Sequence, residues 1–257
     1  MKYSGFVVLI LLGWALWAAP VYESALVGYW KMDDTSGVVK DETGHFTGTL
    51  VGGVTRGVTG KYGKAYQFSS AGAYVDMGAV SSISPSTIEA WINLGSYNAN
   101  GSIYKTILQI NTYYKGSWSD TALYIESGHL CAYTSGSSNA TVALNQWTHV
   151  AMVNDGTNIS LYINGQLDKT VVTSSQWKDG WSMIRIGGGY EGDYESFYGA
   201  LDEVAVFNRA LSATELSQHA TLGIEQYYIT VVPELNVWWL MVLGITMIGR
   251  FRKRLGL

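Results

Sequence analysis

Few residues in this sequence could cross-link or stiffen the chain: among 257 residues there is one cysteine and there are three prolines. A lone cysteine excludes an intramolecular disulfide, so a hydrophobic core must stabilise the fold. The cysteine, Cys131, lies in the apolar stretch Leu130-Cys131-Ala132-Tyr133. We therefore predict that Cys131 is buried as a small hydrophobic residue.

Positive charge and histidine are also scarce. Residues 3–233 contain 11 Lys plus Arg and 19 Asp plus Glu, a net charge of −8. Such a surface repels nucleic acid, so we expect no nucleic-acid partner. The four histidines show no metal-ligand spacing, and His149, which follows Trp147 in a predicted strand, is predicted to be a packed, hydrogen-bonded core residue.

The N-terminus has the pattern of a secretory signal peptide, which we assign to residues 1–24. Lys2 precedes an unbroken apolar stretch from Phe6 to Ala19, which is the charge and hydrophobicity order of such signals. No clear cleavage site precedes Pro20, so an uncleaved signal anchor remains an alternative. Both interpretations predict export.

No apolar run is long, and the run near the C-terminus has 13 residues, Val237 to Gly249. It gives roughly 20 Å of helix against a hydrocarbon core of about 30 Å. Val231, Val232 and the aliphatic stems of flanking arginines extend it enough to cross a membrane. An ordinary tail anchor is one interpretation, and the basic residues beyond it predict a cytoplasmic end: Arg250, Arg252, Lys253 and Arg254.

The order of these features is similar to the C-terminal sorting signal of bacterial PEP-CTERM proteins. Val232, Pro233 and Glu234 come first, then the short apolar span and the basic tail; Leu235 stands where the motif has proline. The resemblance implies that an exosortase processes residues 233–257, after a linker at 223–232. The protein would be anchored in the inner membrane before processing, and would afterwards lie at the cell surface or in the extracellular matrix.

The region between the ends has the pattern of an all-β domain. Segments such as Thr87 to Leu94 and Leu201 to Phe207 are short and rich in β-branched and aromatic residues, as strands are. Asn164-Gly165 predicts a two-residue hairpin turn, and 30 glycines mark frequent turns. Many closely spaced strands predict a two-sheet antiparallel jelly-roll sandwich. Ser212 and Glu215 form a capping-box pattern that predicts one short helix near 212–219.

Blocks of sequence in this region resemble laminin-G-like, concanavalin A-like domains over Ala25 to Leu222, and we assign the domain to residues 25–222. The resemblance implies a jelly roll, a fold that hosts lectins, adhesion modules and glycoside hydrolases, so function has to be argued from sites. The matching blocks include Gly28-Tyr29-Trp30, Gly63-Lys64-Ala65-Tyr66, Ile88-Glu89-Ala90-Trp91-Ile92, Gln146-Trp147-Thr148-His149, and Leu201-Asp202-Glu203-Val204 with Asn208-Arg209-Ala210-Leu211.

Carboxylate spacing argues against an enzyme. Hydrolases on this sandwich that we compare use a Glu-x-Asp-x-x-Glu strand, which places three carboxylates on one sheet face, and the sequence contains no such spacing. Glu191-x-Asp193-x-Glu195 comes nearest and is interpreted as a solvated acidic loop. We therefore predict a protein that is not an enzyme, with a glycoside hydrolase as the less favoured alternative.

Calcium is the cofactor that the resemblance implies. Many relatives hold one Ca²⁺ at the rim of the sandwich, where the first and last strands of the domain meet, and Ca²⁺ takes oxygen ligands from irregular loops. Asp33, Asp41 and Asp202 match acidic positions of the family blocks and are the candidate ligands. The alternative is that Asp33 and Asp41 cap turns and that Asp202 pairs with a lysine or an arginine.

Aromatic residues in Gly/Ser/Asp-rich segments, predicted to be loops, are the candidate ligand-binding residues, because loops on a rigid scaffold often bind ligands. We expect an exported, non-catalytic surface or matrix protein that binds carbohydrate or another extracellular polymer. A purely structural assembly protein is the alternative, in which the same aromatics cover the sandwich edge. The candidates are Tyr113, Tyr114, Trp118, Trp177, Trp181, Tyr190, Tyr194 and Tyr198.

Overall fold

The computed structural model describes residues 20, 22–80, 85–114, 117–132, 136–173, 181–189 and 195–231; for residues 100, 111–114, 117–122, 181 and 182 only the backbone is described. The chain divides into a unit spanning Tyr22–Tyr227 and a second unit formed by Met1–Val21 and Tyr228–Leu257. The predicted signal peptide, apolar span and sorting residues from Val232 to Arg254 lie almost entirely outside the described residues. Within the described part, no helix is both long and apolar enough to span a membrane.

The first sheet of the large unit has eight antiparallel strands in the spatial order β14-β13-β12-β7-β16-β5-β4, with β1 also paired to β16. The last strand, β16, therefore pairs with the first. The strands are β1 (Leu26–Trp30), β4 (Val54–Thr59), β5 (Lys64–Phe68), β7 (Thr87–Leu94), β12 (Trp147–Asn154), β13 (Asn158–Ile163), β14 (Gln166–Val172) and β16 (Gly199–Phe207).

The second sheet also has eight antiparallel strands, in the order β11-β10-β9-β8-β15-β6-β3-β2. Its long central strands β8 and β9 form a hairpin, and β15 crosses from the far end of the chain to pair with β8 and β6. The strands are β2 (Val39–Lys40), β3 (Thr47–Val51), β6 (Tyr74–Val80), β8 (Tyr104–Tyr114), β9 (Ser117–Glu126), β10 (His129–Ala132), β11 (Gly136–Thr141) and β15 (Trp181–Ile186).

The core lies between the two sheets and is built by alternation along the strands. In the second sheet, Val75, Leu108 and Ile184 belong to the buried cluster, and so do Ile92 and Val150 of the first sheet. Residues that alternate with them point to the outer face of their sheet. This arrangement confirms the predicted two-sheet antiparallel sandwich.

The predicted hairpin turn is present between β13 and β14. Asn164 and Gly165 have φ values of 51° and 73°, which is the left-handed backbone that a two-residue type I′ turn requires. A Cβ on Gly165 would lie 2.8 Å from Cα of Ser217 in the helix that follows β16. Glycine at this position therefore serves both the turn and the close approach of the helix.

Up to residue 231, where the described part of the chain ends, two short helices follow β16, and the sequence predicts one of them. Helix α1 (Ala213–Leu222) begins at the predicted capping box, in which Ser212 Oγ accepts the N–H of Glu215 and the Glu215 carboxylate accepts the N–H of Ser212. Helix α2 (Ile224–Thr230) occupies the segment 223–232 that the sequence predicts to be a linker. Gly223 separates the helices. Because this glycine interrupts the helical pattern, the sequence does not predict the second helix.

Candidate functional site

A row of polar residues crosses the outer face of the second sheet. Gln109 on β8 lies opposite Arg185 on β15, Arg185 lies opposite Asp76 on β6, and Asp76 lies opposite Thr49 on β3. Residues directly opposite in antiparallel strands point to the same face. Since the residues that alternate with them are in the core, these four form the polar row of the outer face.

Arg185 is held in place from two sides. Its Nη1 donates to the carbonyl oxygen of Gly189 at 3.1 Å, and its guanidinium carbon lies 4.6 Å from the ring centroid of Tyr74. A guanidinium over an aromatic face is favoured by the negative potential of the ring. The cation is therefore preorganised at the centre of the face.

Of the two neighbours of Arg185 in this row, Gln109 is buried and Asp76 is partly exposed. Gln109 is 6% exposed, and its Oε1 has no hydrogen-bond partner among the described residues. Asp76 accepts the N–H of Gly78 through Oδ1 at 2.8 Å. A buried carbonyl oxygen without a donor is unusual in a native protein and calls for an explanation.

Aromatic residues flank the polar row on both sides along the strands. Tyr104 and Tyr124, on β8 and β9, have ring centroids 6.1 Å apart, and Tyr104 is 42% exposed. In the other direction, Trp181 lies opposite Tyr113, and Tyr113 lies opposite Trp118. This aromatic row is four residues from the polar row along β8 and β15, about 13 Å at the rise of a strand.

The prediction that these aromatics lie in loops is wrong for four of the eight. Tyr113, Tyr114, Trp118 and Trp181 are strand residues of β8, β9 and β15. The glycines and serines around them mark a hairpin between long strands, which composition does not distinguish from a loop. The register brings Tyr113, Trp118 and Trp181 into one row of neighbouring strands, which the sequence alone does not reveal.

The other aromatic candidates are not part of this row. Tyr198 directly precedes β16 in the first sheet, where its carbonyl oxygen accepts the N–H of Gly95 at 2.8 Å. Trp177, Tyr190 and Tyr194 lie outside the described residues.

Asp41 organises a turn. Its Oδ1 accepts the N–H groups of Tyr29 and Thr43, and its Oδ2 accepts the N–H groups of His45 and Phe46 and the hydroxyl of Thr43, all within 3.1 Å. Five donors use the lone pairs that a cation would need. Asp41 therefore does not fit the calcium ligand set and has the turn-capping role of the alternative interpretation.

Asp33 and Asp202 are brought to one turn between β4 and β5. Oδ1 of Asp33 accepts the N–H of Lys64 at 2.7 Å, and Oδ2 of Asp202 accepts those of Lys61 and Tyr62 at 2.8 and 3.0 Å. Asp202 sits where β16 exchanges its partner β5 for β1. The first and last strands meet here, as the family resemblance implies.

The environment of Asp202 disfavours the ionised form of its carboxyl group. Burial raises its pKa to about 7, and the neighbouring Asp33 contributes in the same direction. Burial also raises the pKa of Glu203 to about 8, although Tyr29 donates its hydroxyl to Glu203 at 2.5 Å. Oδ1 of Asp202 is buried with no partner among the described residues.

These observations fit a cation only in part. An unpartnered carboxylate oxygen beside a second carboxylate suits Ca²⁺, which completes its shell with backbone carbonyls and water. Within the described ranges, however, no group of three or more His, Cys, Asp or Glu side chains is arranged to hold a metal. Asp33 and Asp202 are therefore the candidates that remain.

A buried charged group that the sequence does not reveal lies on the outer face of the first sheet. Glu89 on β7 contacts His149 Nε2 at 2.9 Å and His219 Nδ1, on α1, at 2.7 Å. Burial would raise the pKa of Glu89, but the two histidines lower it to about 2. The packed, hydrogen-bonded position predicted for His149 is confirmed. The pairing could not be predicted, because the three residues are far apart in the sequence.

Two antiparallel sheets around one core, closed by pairing of the first and last strands, define a jelly-roll sandwich. The chain belongs to the concanavalin A-like lectin/glucanases superfamily, whose sequence profile matches residues 69–217. No curated protein sequence matches the chain.

Solved structures share the fold at low identity. Domain 4 of AbnA, a GH43 extracellular arabinanase from Geobacillus stearothermophilus, solved in complex with arabinotriose, is 21% identical with a TM-score of 0.55; the match covers 76% of this chain and 98% of that one. A Trypanosoma rangeli sialidase is 15% identical with a TM-score of 0.57 over 78% of this chain. The match spans 33% of the sialidase's length.

The prediction that this protein is not an enzyme is wrong. The solved structures that share its fold include parts of an arabinanase and of a sialidase, both of them enzymes. The absence of one hydrolase motif therefore does not exclude catalysis for a chain with this fold. At these identities the similarity establishes the fold alone.

Proposed function

We propose that the domain binds carbohydrate on the outer face of the second sheet. The observation that carries this proposal is the register that lines up Trp181, Tyr113 and Trp118 on three neighbouring strands. Sugar rings have apolar C–H faces that pack on aromatic rings, and aromatic side chains bury large areas at binding sites.

The polar row supports the same face. Arg185 supplies N–H donors, and Asp76 supplies an oxygen acceptor beside it. An aromatic surface combined with a few fixed polar groups on one face is the usual composition of a small-molecule site. The arabinotriose bound to domain 4 of the arabinanase gives a precedent within the same fold.

A glycan array with the full-length protein in detergent tests the proposal. We expect that the parent binds at least one glycan and that Trp118→Ala and Trp181→Ala each abolish this binding. Trp147→Ala, a partly buried tryptophan on a strand of the first sheet, is the matched control and should bind like the parent. If the parent binds neither neutral nor acidic glycans, the alternative is favoured, a structural protein that assembles with its neighbours.

We propose further that Ca²⁺ binds between Asp33 and Asp202. The unpartnered Oδ1 of Asp202 and its raised pKa support this, because a cation would compensate the buried charge. Ca²⁺ should raise the thermal midpoint of the parent relative to EDTA and should not raise that of Asp202→Ala. The Asp41→Asn variant serves as the control that keeps the Ca²⁺ shift; an unchanged midpoint in the parent would reject the proposal.

The export route is proposed from the sequence of the two ends. We infer that residues 1–24 direct secretion and that an exosortase removes the segment after Pro233, which leaves the domain at the surface or in the matrix. Mass spectrometry of mature protein from its own host should find a C-terminus near Pro233. Mature protein that still ends at Leu257 would contradict processing and favour a permanent membrane anchor.

A further inference from the structure

The polar row contains one positive and one negative side chain that do not pair with each other. Arg185 and Asp76 are direct register partners on β15 and β6, where Cβ atoms lie about 5 Å apart. Arg185 is instead turned toward Gly189 and Tyr74, and Asp76 toward Gly78. Neither residue belongs to any of the ion pairs found within the described ranges.

Arg185 has N–H donors, and Asp76 has an acceptor oxygen, that are not used in hydrogen bonds with described residues. A guanidinium has five N–H groups, and one hydrogen bond, to Gly189, is found for Arg185 in the described part of the chain. The Oδ2 atom of Asp76 accepts no hydrogen bond from described residues. On the other side of Arg185, Oε1 of Gln109 also lacks a donor among the described residues, but this atom is buried and does not face a ligand. The adjacent strands β15 and β6 thus present a donor beside an acceptor.

We infer that this row binds an uncharged sugar through neighbouring hydroxyl groups, an inference that rests on the carbohydrate-binding function proposed above. A hydroxyl both donates and accepts, so one sugar hydroxyl can accept from Arg185 while its neighbour donates to Asp76. A donor beside an acceptor matches two vicinal hydroxyls and requires no charge on the ligand.

The charges of the row argue against an acidic glycan. A sugar carboxylate placed at Arg185 would lie one strand spacing, about 5 Å, from the Asp76 carboxylate, and like charges at that distance repel. The net charge of −8 over residues 3–233 opposes an acidic polymer as well. An amino sugar is disfavoured in turn by the guanidinium of Arg185.

The test compares three glycan sets on one array with the full-length protein in detergent: neutral oligosaccharides, uronate-containing or sialylated oligosaccharides, and the neutral set after periodate oxidation and borohydride reduction, which destroys vicinal diols. We expect binding to the neutral set and its loss after periodate. Arg185→Gln and Asp76→Asn should each weaken the interaction about tenfold, the effect of losing one hydrogen bond to a charged group.

Arg56→Gln is the matched control. Arg56 also lies over a tyrosine ring, 5.3 Å from the centroid of Tyr66, but on β4 in the first sheet; it should bind like the parent, and thermal unfolding of each variant verifies folding. Binding restricted to acidic glycans, or binding strengthened by Asp76→Asn, would overturn this inference and leave the proposed function standing. Binding to no glycan at all would overturn both.

Discussion

Asp41 and Asp202 come from the same predicted set of calcium ligands, and the hydrogen bonds around them separate their roles. Asp41 accepts four hydrogen bonds from residues 43–46 and one from Tyr29 of β1, whereas Asp202 accepts two from the turn at Lys61 and Tyr62 and keeps one oxygen without a partner among the described residues. A carboxylate saturated by local donors stabilises its turn. A carboxylate with an unpartnered buried oxygen is a candidate ligand-binding group.

The Asp41→Asn variant should lose stability because an amide cannot accept all five hydrogen bonds. We expect the free energy of unfolding to fall by about 2 kcal/mol, the range for removing acceptors from buried donors. Urea denaturation measures the change. Lys40→Gln, which removes an exposed ion pair with Glu42 in the same segment, is the control and should change stability by less than about 1 kcal/mol. Equal effects of the two substitutions would contradict the role of Asp41.

At the scale of elements, helix α1 is held against the first sheet at two places. The turn at Gly165 lets the backbone of α1 approach closely. On the sheet itself, Glu89 reaches His219 of the helix and His149 of the neighbouring strand. Helix α1 is therefore positioned by a close steric contact at Gly165 and by the buried charge of Glu89.

Substitution of Gly165 tests the steric contact. Gly165→Ala should destabilise the domain more than Gly156→Ala, although both glycines have positive φ, because a Cβ at Gly165 meets the backbone of α1 at 2.8 Å and one at Gly156 meets no atom within 4 Å. The left-handed backbone alone costs about 1 kcal/mol for alanine. Denaturation midpoints of the two variants measure the difference. Equal losses of stability would show that α1 can shift away from the added Cβ without a loss of free energy.

The Glu89 network predicts a dependence of stability on acid. The pKa of Glu89 is about 2 in the folded state and is near 4.5 for a free glutamate, so the unfolded state binds more protons between these values. Stability from this group is therefore fully present above about pH 4.5 and is lost as the pH falls toward 2. The loss is on the order of 3 kcal/mol, because the pKa of Glu89 differs by about 2.5 between the folded and the unfolded state.

Urea denaturation at pH 6 and pH 3 isolates this contribution. The parent should lose stability on acidification, and Glu89→Gln should be less stable at pH 6 but change less between the two pH values. Glu215→Gln is a comparison at a partly exposed ion pair with Arg209, where solvent screening reduces the effect. An identical pH dependence in the parent and in Glu89→Gln would refute the role of the network.

At the scale of the whole molecule, the two sheets of the Tyr22–Tyr227 unit share one hydrophobic cluster, to which strands from both ends of the sequence contribute. β1 pairs with β16, so the fold closes only when distant parts of the chain meet. A shared core predicts a single cooperative unfolding transition for this unit. Far-UV circular dichroism and tryptophan fluorescence should give the same denaturation midpoint, and separate midpoints would show that the sheets unfold independently.

The sequence predicted the local features of the fold, because each depends on neighbours in the chain. The period-two strands, the Asn164-Gly165 turn and the Ser212 capping box all appear where they were predicted. The buried position of Cys131 is confirmed as well, at 1% exposure. The second helix was missed, since Gly223 ends one helix just before the next begins.

Tertiary structure decided which residues meet, because strand register and sheet order depend on the packing of the whole core. It moved Tyr113, Trp118 and Trp181 from predicted loops into one row, and it placed Arg185 between Gln109 and Asp76. Neighbours in these rows are separated in the sequence by up to 109 positions, from Asp76 to Arg185. Composition and local pattern thus determined that this chain forms a β-sandwich, whereas long-range pairing alone created the face on which a ligand can be proposed.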